Sequence, residues 1–510
     1  MRHKVLITTS GIGSRLGDVT SFTNKSLVSI GNKPVISHII ESYPKDTNFV
    51  ITIGYFGTYV KQFLELAYPD KKIEYVKVDN YSGPGSSLGY SLLQAKEYLQ
   101  CPFIYHATDT ILPGFKVEFT DNFCVGCHKE DSSQYATLIT KNNIINKIKP
   151  KGELNFDYPY VGVSGVKDFE LFWQELEDIY NKDPNNSNLS DVHVINNMLS
   201  DVYFKFIEAE QWFDTGNTTE LFKTNSHFKT DLSVLDKKDE SVFIFDKFVI
   251  KFFTDSVINK NRALRGQQLN GVVPNLLGYT DNFYKYAKAE GNTLARTVNE
   301  PLFNSLLQWS LENLWTIDRE KNIKDICFNF YFNKTKKRVN DYLKGEPDKE
   351  QLINGIKVPP VTELLELIDI DWLCNGLAST FHGDFILDNI IEKDGKFSLI
   401  DWRQDFGGNL DAGDIYYDLA KLNHNLTVNH DIVHNKQFNH LPQDCFILCN
   451  STLIRCKKIL KEFILKNNLD YKKVDILTSL IWINMAPLHS YPFRDFLFNF
   501  GKLNLYNSLK

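Results

Sequence analysis

The chain has 510 residues, 43% of them hydrophobic and 24% charged, with a formal net charge of −6. At about 100–200 residues per domain this length argues against a single domain, and the composition is that of a globular chain with sizeable cores. The mild acidity argues against a broad basic surface for nucleic acid or a polybasic membrane anchor, but a few Lys, Arg and backbone N–H groups suffice to hold a small anion.

From the N-terminus, Met1-Arg2-His3-Lys4 leads into Val5-Leu6-Ile7. A three-residue apolar run falls short of the about 7–15 residues of a signal peptide, and no stretch approaches the about 18 apolar residues of a membrane span. The expected location is the cytoplasm, with no membrane partner. Residues 4–8, 49–53, 73–78 and 102–106 read as strands, with helices over 37–43, 58–68 and 88–99 between them. This alternation predicts βαβ units and a mostly parallel sheet. Further strands are expected over 135–140, 160–166 and 203–208.

Polar sequence over 223–240 marks a domain boundary. The expected division is 1–228, a linker over 229–240, and 241–510. Strands over 241–245 and 248–253 flank an Asp246-Lys247 turn, and helices are expected over 301–318, 349–353, 361–378 and 446–466. The eight Cys are scattered, and Cys124-Val-Gly-Cys127-His128 matches a haem-attachment pattern. Haem attachment requires export, so free thiols in a reduced compartment are the expectation. A zinc site is not expected, because no second Cys pair has ligand spacing.

Strand one runs into Thr9-Ser10-Gly11-Ile12-Gly13-Ser14-Arg15-Leu16-Gly17. Glycines there let backbone N–H groups approach phosphates. The loop alone is equally compatible with a tight turn, and its spacing departs from the dinucleotide fingerprint. The continuation decides the reading: Asn24-Lys25-Ser26-Leu27, then Asn32-Lys33-Pro34. Together these segments resemble the sugar-phosphate nucleotidyltransferase family, with its Gly-x-Gly-(Ser/Thr)-Arg-Leu, Pro-Lys-x-Leu and Lys-Pro segments. The form lacking the proline is similar to cytidylyltransferases that activate phosphocholine. Departures are Thr8-Thr9-Ser10 for Leu-Ala-Ala and Asn24 for Pro.

The resemblance implies a Rossmann-like α/β domain in which a phosphate oxygen attacks the α-phosphorus of an NTP. Arg15 and Lys25 would neutralise the triphosphate, and Gly11, Gly13 and Ser14 would cradle it. Gly83-Pro-Gly85-Ser86 resembles the loop that contacts the base. Asp109, after an apolar strand, and Asp214, in Trp-Phe-Asp-Thr-Gly, would hold Mg²⁺, although either alone also fits a turn or cap. Tyr160-Val-Gly162 looks like the acceptor-side strand. A lysine within 148–151 is a candidate for the acceptor phosphate, although so basic a run also reads as solvated surface.

The C-terminal half contains Phe381-His382-Gly383-Asp384, then Asp388-Asn389 and Ile400-Asp401-Trp402. A loop Asp, an Asn five residues on, and an Asp ending the next strand are what kinase-type phosphoryl transfer requires. The segment resembles the aminoglycoside phosphotransferase and choline kinase superfamily, implying a two-lobed, protein-kinase-like α+β domain. By that resemblance Asp384 orients the acceptor hydroxyl, while Asn389 and Asp401 hold Mg²⁺ on ATP. Lys251, in Val-Ile-Lys-Phe, fits the phosphate-pairing strand lysine, though a strand lysine alone also fits a solvated edge. No acidic residue in the following helix is available to pair with it. Asp414 and Asp418 read as structural, and Trp309, Trp315 and Trp482 as core rather than acceptor pocket.

A kinase making a phosphomonoester and a nucleotidyltransferase consuming one are chemically consecutive. The implied substrates are ATP, a second NTP, CTP by the Asn24–Leu27 form, and a small alcohol such as choline. The product would be an NDP-activated precursor for cell-surface glycan decoration. The alternative is an anomeric sugar kinase joined to a sugar-1-phosphate nucleotidyltransferase. A non-catalytic domain, or antibiotic resistance by the kinase alone, are further readings. The second leaves the N-terminal half unexplained. Self-association stays open.

Overall fold

The computed structural model describes residues 3–116, 118–129, 133–153, 155–228 and 238–510. Of the expected linker, residues 229–237 lie outside the described residues. Two compact units divide the chain: Met1–Ser256 with Gly278–Lys285, and Val257–Leu277 with Tyr286–Lys510. Among the described residues no helix is long and apolar enough to cross a membrane.

In the first unit β1 (Lys4–Thr8), β2 (Asn48–Ile53), β3 (Ile73–Lys77) and β4 (Phe103–Ala107) are the strands the alternation predicts. Helices α1 (Val35–Ser42), α2 (Gly57–Ala67) and α3 (Leu88–Gln94) separate them. Crossover helices force parallel pairing, and β1 pairs parallel with both β2 and β4. Beyond β4 come β5 (Phe123–Gly126), β6 (Thr137–Lys141), β7 (Ile144–Lys149), β8 (Tyr158–Val166) and β9 (Lys205–Glu208). Nine strands of the described residues form one sheet in the order β3-β2-β1-β4-β8-β5-β9-β7-β6.

The expectation of a mostly parallel sheet holds for its first four strands and for the β5–β9 pair, and the rest of the sheet is antiparallel. β8 runs antiparallel to β4 and β5, and β7 antiparallel to β6 and β9. No crossover helix is present between β4 and β8 among the described residues, so nothing forces the chain to return in the same direction. Helices α4 (Phe169–Lys182) and α5 (Asp191–Met198) precede β9, and α6 (Thr218–His227) follows it.

The hairpin of β10 (Glu240–Ile244) and β11 (Phe248–Phe253) closes through a Phe245 N–H bond to Phe248 O, 2.9 Å, around Asp246-Lys247. With β12 (Leu276–Tyr279) and β13 (Phe283–Ala287) it makes a four-stranded sheet in the order β10-β11-β13-β12. Its apolar face belongs to the core of the first unit. Phe63 on α2 meets Phe243, Phe245 and Phe283 with ring centroids 5.4, 6.5 and 5.9 Å apart, and Tyr59 meets Phe252 at 4.9 Å. Phe63 and Phe283 are fully buried, each worth about 1.5–3 kcal/mol relative to exposure.

The second unit is mainly helical. It carries α7 (Ser256–Gln268) from Val257 onward, α8 (Glu300–Asn313), and α9 (Lys334–Leu343), which continues a π-helical turn over Asn329–Asn333. The helix expected over 349–353 is instead a hairpin of β14 (Gln351–Ile353) and β15 (Ile356–Val358), turned by Asn354 and Gly355 at φ 49 and 76. The helix expected over 361–378 is two, α10 (Val361–Glu366) and α11 (Ile370–Cys374), because the Asp369 side chain caps the second by accepting from Trp372 N–H. A hairpin of β16 (Ile390–Lys393) and β17 (Lys396–Leu399) and helix α12 (Ile415–Asn425) frame the Asp384 loop. Helices α13 (Ser451–Lys466), α14 (Tyr471–Met485) and α15 (Phe493–Leu509) close the unit.

Candidate functional sites

The glycine loop after β1 is positioned by contacts a larger residue would break. Gly13 has φ 72, and a Cβ there would come 3.1 Å from Lys25 Cβ. Asn24, fully buried, donates to Thr9 O at 2.8 Å and Tyr55 O at 2.6 Å. Its own oxygen accepts from the Ser26 N–H at 2.9 Å and hydroxyl at 2.7 Å. Asn24 thus ties the glycine loop to the turn carrying Lys25. Ser10 Oγ meets Ser91 Oγ of α3 at 2.9 Å.

Asp109 lies just beyond the end of β4, and Asp214 reaches the same place through pairing of Phe213–Asp214 with Thr110–Ile111. The backbone between them is glycine for a reason: a Cβ on Gly216 would lie 3.0 Å from both Asp109 Oδ2 and Asp214 Oδ1, and 3.2 Å from Arg15 Nη2. Lys25 Nζ and Arg15 Nη2 stand 3.7 and 3.8 Å from Asp109 Oδ2. Burial opposes the charge on Asp109, but Lys25, then Arg15 and more weakly Lys151, hold its carboxyl below the ordinary value. Burial, then the charge of Asp109, raises that of Asp214. Two carboxylates with opposed shifts and two cations around one point could hold a cation and a polyphosphate.

The aromatic neighbours of this site were not legible in the sequence. Tyr135 donates to Asp214 Oδ2 at 2.6 Å. Lys129 Nζ sits 4.7 Å over the Tyr135 ring and 4.9 Å over that of Trp212, and pairs with Glu220 at 2.7 Å. A cavity beside Asp214 is lined by Lys129, Trp212 and Glu220 with His128, Lys223 and His227. Its aromatic faces already hold a cation of the chain itself.

Gly85, at φ 78, approaches Pro184 O, and the Ser86 hydroxyl bonds Gly83 O at 2.8 Å. Ser87 caps α3. Gly162, at φ 82, lets β8 pass Ala107 where a Cβ would come within 2.8 Å. Tyr160 is buried and bonds Asp191 at 2.7 Å, and Lys149 pairs with Glu153 at 3.8 Å.

Lys251 on β11, buried, pairs with Glu240 of the neighbouring strand at 3.4 Å. Helix α7 contains no acidic residue. That helix sends Arg262 to Asp401 Oδ1 at 2.7 Å and to Trp402 O at 2.8 Å. Arg265, three residues on and fully buried, donates to the backbone oxygens of Phe381 and Arg403. Burial lowers its pKa to about 9.

Around Asp384, Asn389 donates to Oδ2 at 3.1 Å and to the Asp384 carbonyl at 3.0 Å, while Lys421 on α12 meets Oδ1 at 2.7 Å. Burial works against the charge, but Lys421 keeps this carboxyl below its ordinary value. Asp418 accepts from the backbone N–H groups of His382 and Gly383 at 2.8 and 2.7 Å and from Trp315 at 3.1 Å, and burial raises it to about 6. Asp414 accepts from Tyr331 at 2.8 Å and Leu377 N–H at 3.0 Å. Both carboxylates brace the loop. Trp315 and Trp482 are buried, and Trp309 packs on Phe397 at 5.6 Å.

Among the described residues no group of three or more His, Cys, Asp or Glu is arranged as a metal cluster. Asp109 with Asp214, and Asp401 with Asn389, are instead hard-oxygen pairs. Such oxygens are the donors Mg²⁺ prefers, and substrate phosphates and water would supply its remaining ligands.

Comparison with known proteins gives similarity in the N-terminal half. No family model matches the chain. Over 232 residues it is 23% identical to the bifunctional protein GlmU of Methanococcus vannielii, covering 44% of this chain and 54% of that one. The chain thus spans about half the length of these curated relatives. Over 62 residues it is 36% identical to glucose-1-phosphate cytidylyltransferase of Salmonella typhimurium, 12% of this chain and 24% of that protein. The solved CTP:phosphocholine cytidylyltransferase of Streptococcus pneumoniae aligns with a TM-score of 0.39 and 19% identity, covering 45% of this chain and all of that one. The N-terminal part is therefore similar to nucleotidyltransferases. The particular relatives in sequence are GlmU and glucose-1-phosphate cytidylyltransferase.

Proposed function

We propose that the chain is a bifunctional enzyme that phosphorylates a small hydroxyl compound with ATP and then transfers a nucleotidyl group, CMP from CTP, to that phosphate. The observation that carries the first-unit reading is the convergence of Asp109 and Asp214 on Gly216, with Arg15 and Lys25 against Asp109. In this reading the NTP triphosphate lies along Gly11, Gly13 and Ser14, and its charge is met by Arg15 and Lys25. A phosphate oxygen of the acceptor attacks the α-phosphorus, the bond to the β-phosphate breaks, and pyrophosphate leaves. Mg²⁺ on Asp109 and Asp214 would supply charge neutralisation between the reacting phosphates.

In the C-terminal reading Asp384 orients the acceptor hydroxyl and takes its proton as the oxygen attacks the γ-phosphorus and ADP leaves. The Asn389 bond and the Lys421 pair fix the carboxylate for this role. Asn389 and Asp401 would hold Mg²⁺ on ATP, and Lys251, kept in place by Glu240, would bind its phosphates. A loose phosphoryl-transfer transition state depends on positioning and charge more than on a strong base, which suits an Asp held well ionised.

A second substrate reading, an anomeric sugar kinase feeding a sugar-1-phosphate nucleotidyltransferase, is favoured by the Asp214-Thr215-Gly216 segment and by the similarity to glucose-1-phosphate cytidylyltransferase. The test is incubation with Mg²⁺, ATP, all four NTPs and a pool of choline, ethanolamine, polyols and hexoses, with mass-spectrometric analysis. An NDP product that vanishes in Asp384→Ala and returns with the phosphorylated acceptor supports consecutive steps, and its mass separates CDP-alcohol from NDP-sugar. No NDP product from any phosphate ester and NTP would make the N-terminal domain non-catalytic.

A further inference from the structure

We propose that the acceptor phosphorylated at Asp384 carries an anionic group, a carboxylate or a phosphate, seated on Lys334, Arg338 and Arg403. This rests on the kinase reading of the C-terminal site and narrows it to a substrate class.

The two oxygens of Asp384 face different surroundings. Oδ2 accepts from Asn389, the metal-side residue, while Oδ1 meets Lys421 at 2.7 Å. Arg403 lies across the residue before Asp384: a Cβ on Gly383 would come 2.6 Å from Arg403 Cβ. Its guanidinium stands 5.0 Å from the centre of the Phe330 ring, and Lys334 Nζ stands 4.1 Å from the same ring. Arg338 is one turn along α9 from Lys334, on the same face.

Among the described residues no carboxylate lies within 4.0 Å of Lys334, Arg338 or Arg403. Among the described residues the Arg403 side chain donates only to the Asp405 backbone oxygen, at 3.0 Å. The cations press on one another: burial, then Arg403, Lys421 and Arg338, bring Lys334 down to about 7 against the weaker pull of Asp405. Half-buried positive charge with no carboxylate in direct contact is costly, and a bound anion would offset it. A quaternary ammonium would meet like charge here, because Phe330 already has two cations against it. Lys421 is taken up by Asp384. The outer three are left to hold the acceptor.

The experiment uses the full chain, Lys334→Met and Arg338→Met. Arg338 is part-exposed, so its variant guards against a folding defect at Lys334. With Mg-ATP present, inorganic phosphate is expected to raise the melting temperature of wild type by a few degrees more than that of either variant. In ATP turnover, glycerate or glycerol 3-phosphate should exceed choline and glycerol at least tenfold in kcat/KM, and whichever is used separates carboxylate from phosphate. Both variants should raise that acceptor's KM tenfold or more, with KM for ATP within twofold. Preference for choline or glycerol overturns the proposal and leaves the kinase reading standing. A rise confined to the KM of ATP, or equal phosphate stabilisation of wild type and variants, also overturns it. Failure of wild type to bind ATP removes the kinase reading and this inference together.

Discussion

The phenolic hydroxyl of Tyr135 donates a 2.6 Å hydrogen bond to Oδ2 of Asp214, the carboxylate whose Oδ1 accepts the Gly216 N–H at 2.7 Å. The two bonds fix the plane of a carboxylate that burial and Asp109 would otherwise drive towards its neutral form. Tyr135→Phe removes one bond and little volume. It should lower nucleotidyl transfer about tenfold, the value of a hydrogen bond to a charged group, and leave phosphoryl transfer unchanged. Pyrophosphate release and ADP release, measured on the same preparation, check this.

Asn24 makes four hydrogen bonds at a fully buried position. Asn24→Ala should destabilise the first unit by about 2–4 kcal/mol, since several buried groups lose their partner at once. Asn24→Pro, which restores the residue of the resembling family, should not recover that loss, because proline cannot donate to Thr9 O and Tyr55 O. Urea unfolding followed by near-ultraviolet circular dichroism reads both.

Lys421 neutralises Asp384 from a part-buried position. Lys421→Met should cut ATP-dependent phosphoryl transfer about 10²-fold, within the range for a charge removed from a preorganised site. Nucleotidyl transfer from a supplied phosphate ester should be unaffected. Equal loss in both assays would mean a general folding defect.

Buried histidines contribute acid sensitivity to both units, His106 to the first and His382 with His424 to the second. Burial lowers His106 and His382 from 6.5 to about 4. A depressed folded-state pKa favours the folded protein above pH 6.5, and that contribution falls away as pH drops from 6.5 towards 4. Each shift corresponds to about 3 kcal/mol. His106→Gln should flatten the acid limb of a stability–pH curve for the first unit, and His382→Gln that for the second. Thermal unfolding between pH 4 and 8 measures this.

Much of the N-terminal half was legible because its signals are local. Val5–Ile7 and Phe49–Ile51 are apolar runs of strand length, and the crossover helices leave no choice of direction. Past β4 the hairpins bring antiparallel strands into the sheet, and no local pattern distinguishes those from parallel ones. In the C-terminal half the loop carrying Asp384 stands out by spacing. The hairpin at Gln351–Val358 was missed although Asn354-Gly355 is a strong turn signal, because its flanking runs of three residues carry no usable period. Lys421, Arg262, Arg265 and Tyr135 join their sites from distant positions. No spacing in the sequence announces such a partner, and only the fold brings Lys421 to Asp384.

The hairpin of β10 and β11 has a practical consequence for anyone dividing the chain. A cut in the polar stretch around residue 228 would remove Phe243, Phe245, Phe252 and Phe283 from the ring of Phe63 and the side chain of Tyr59. It would also break the bonds of Gln62 to Asn282 N–H and Thr280 Oγ1, both 2.9 Å. The fragment would then present a raw aromatic face on α2 and should precipitate on expression, whereas one running through residue 285 keeps that face covered. The first compact unit runs past the polar stretch to Ser256.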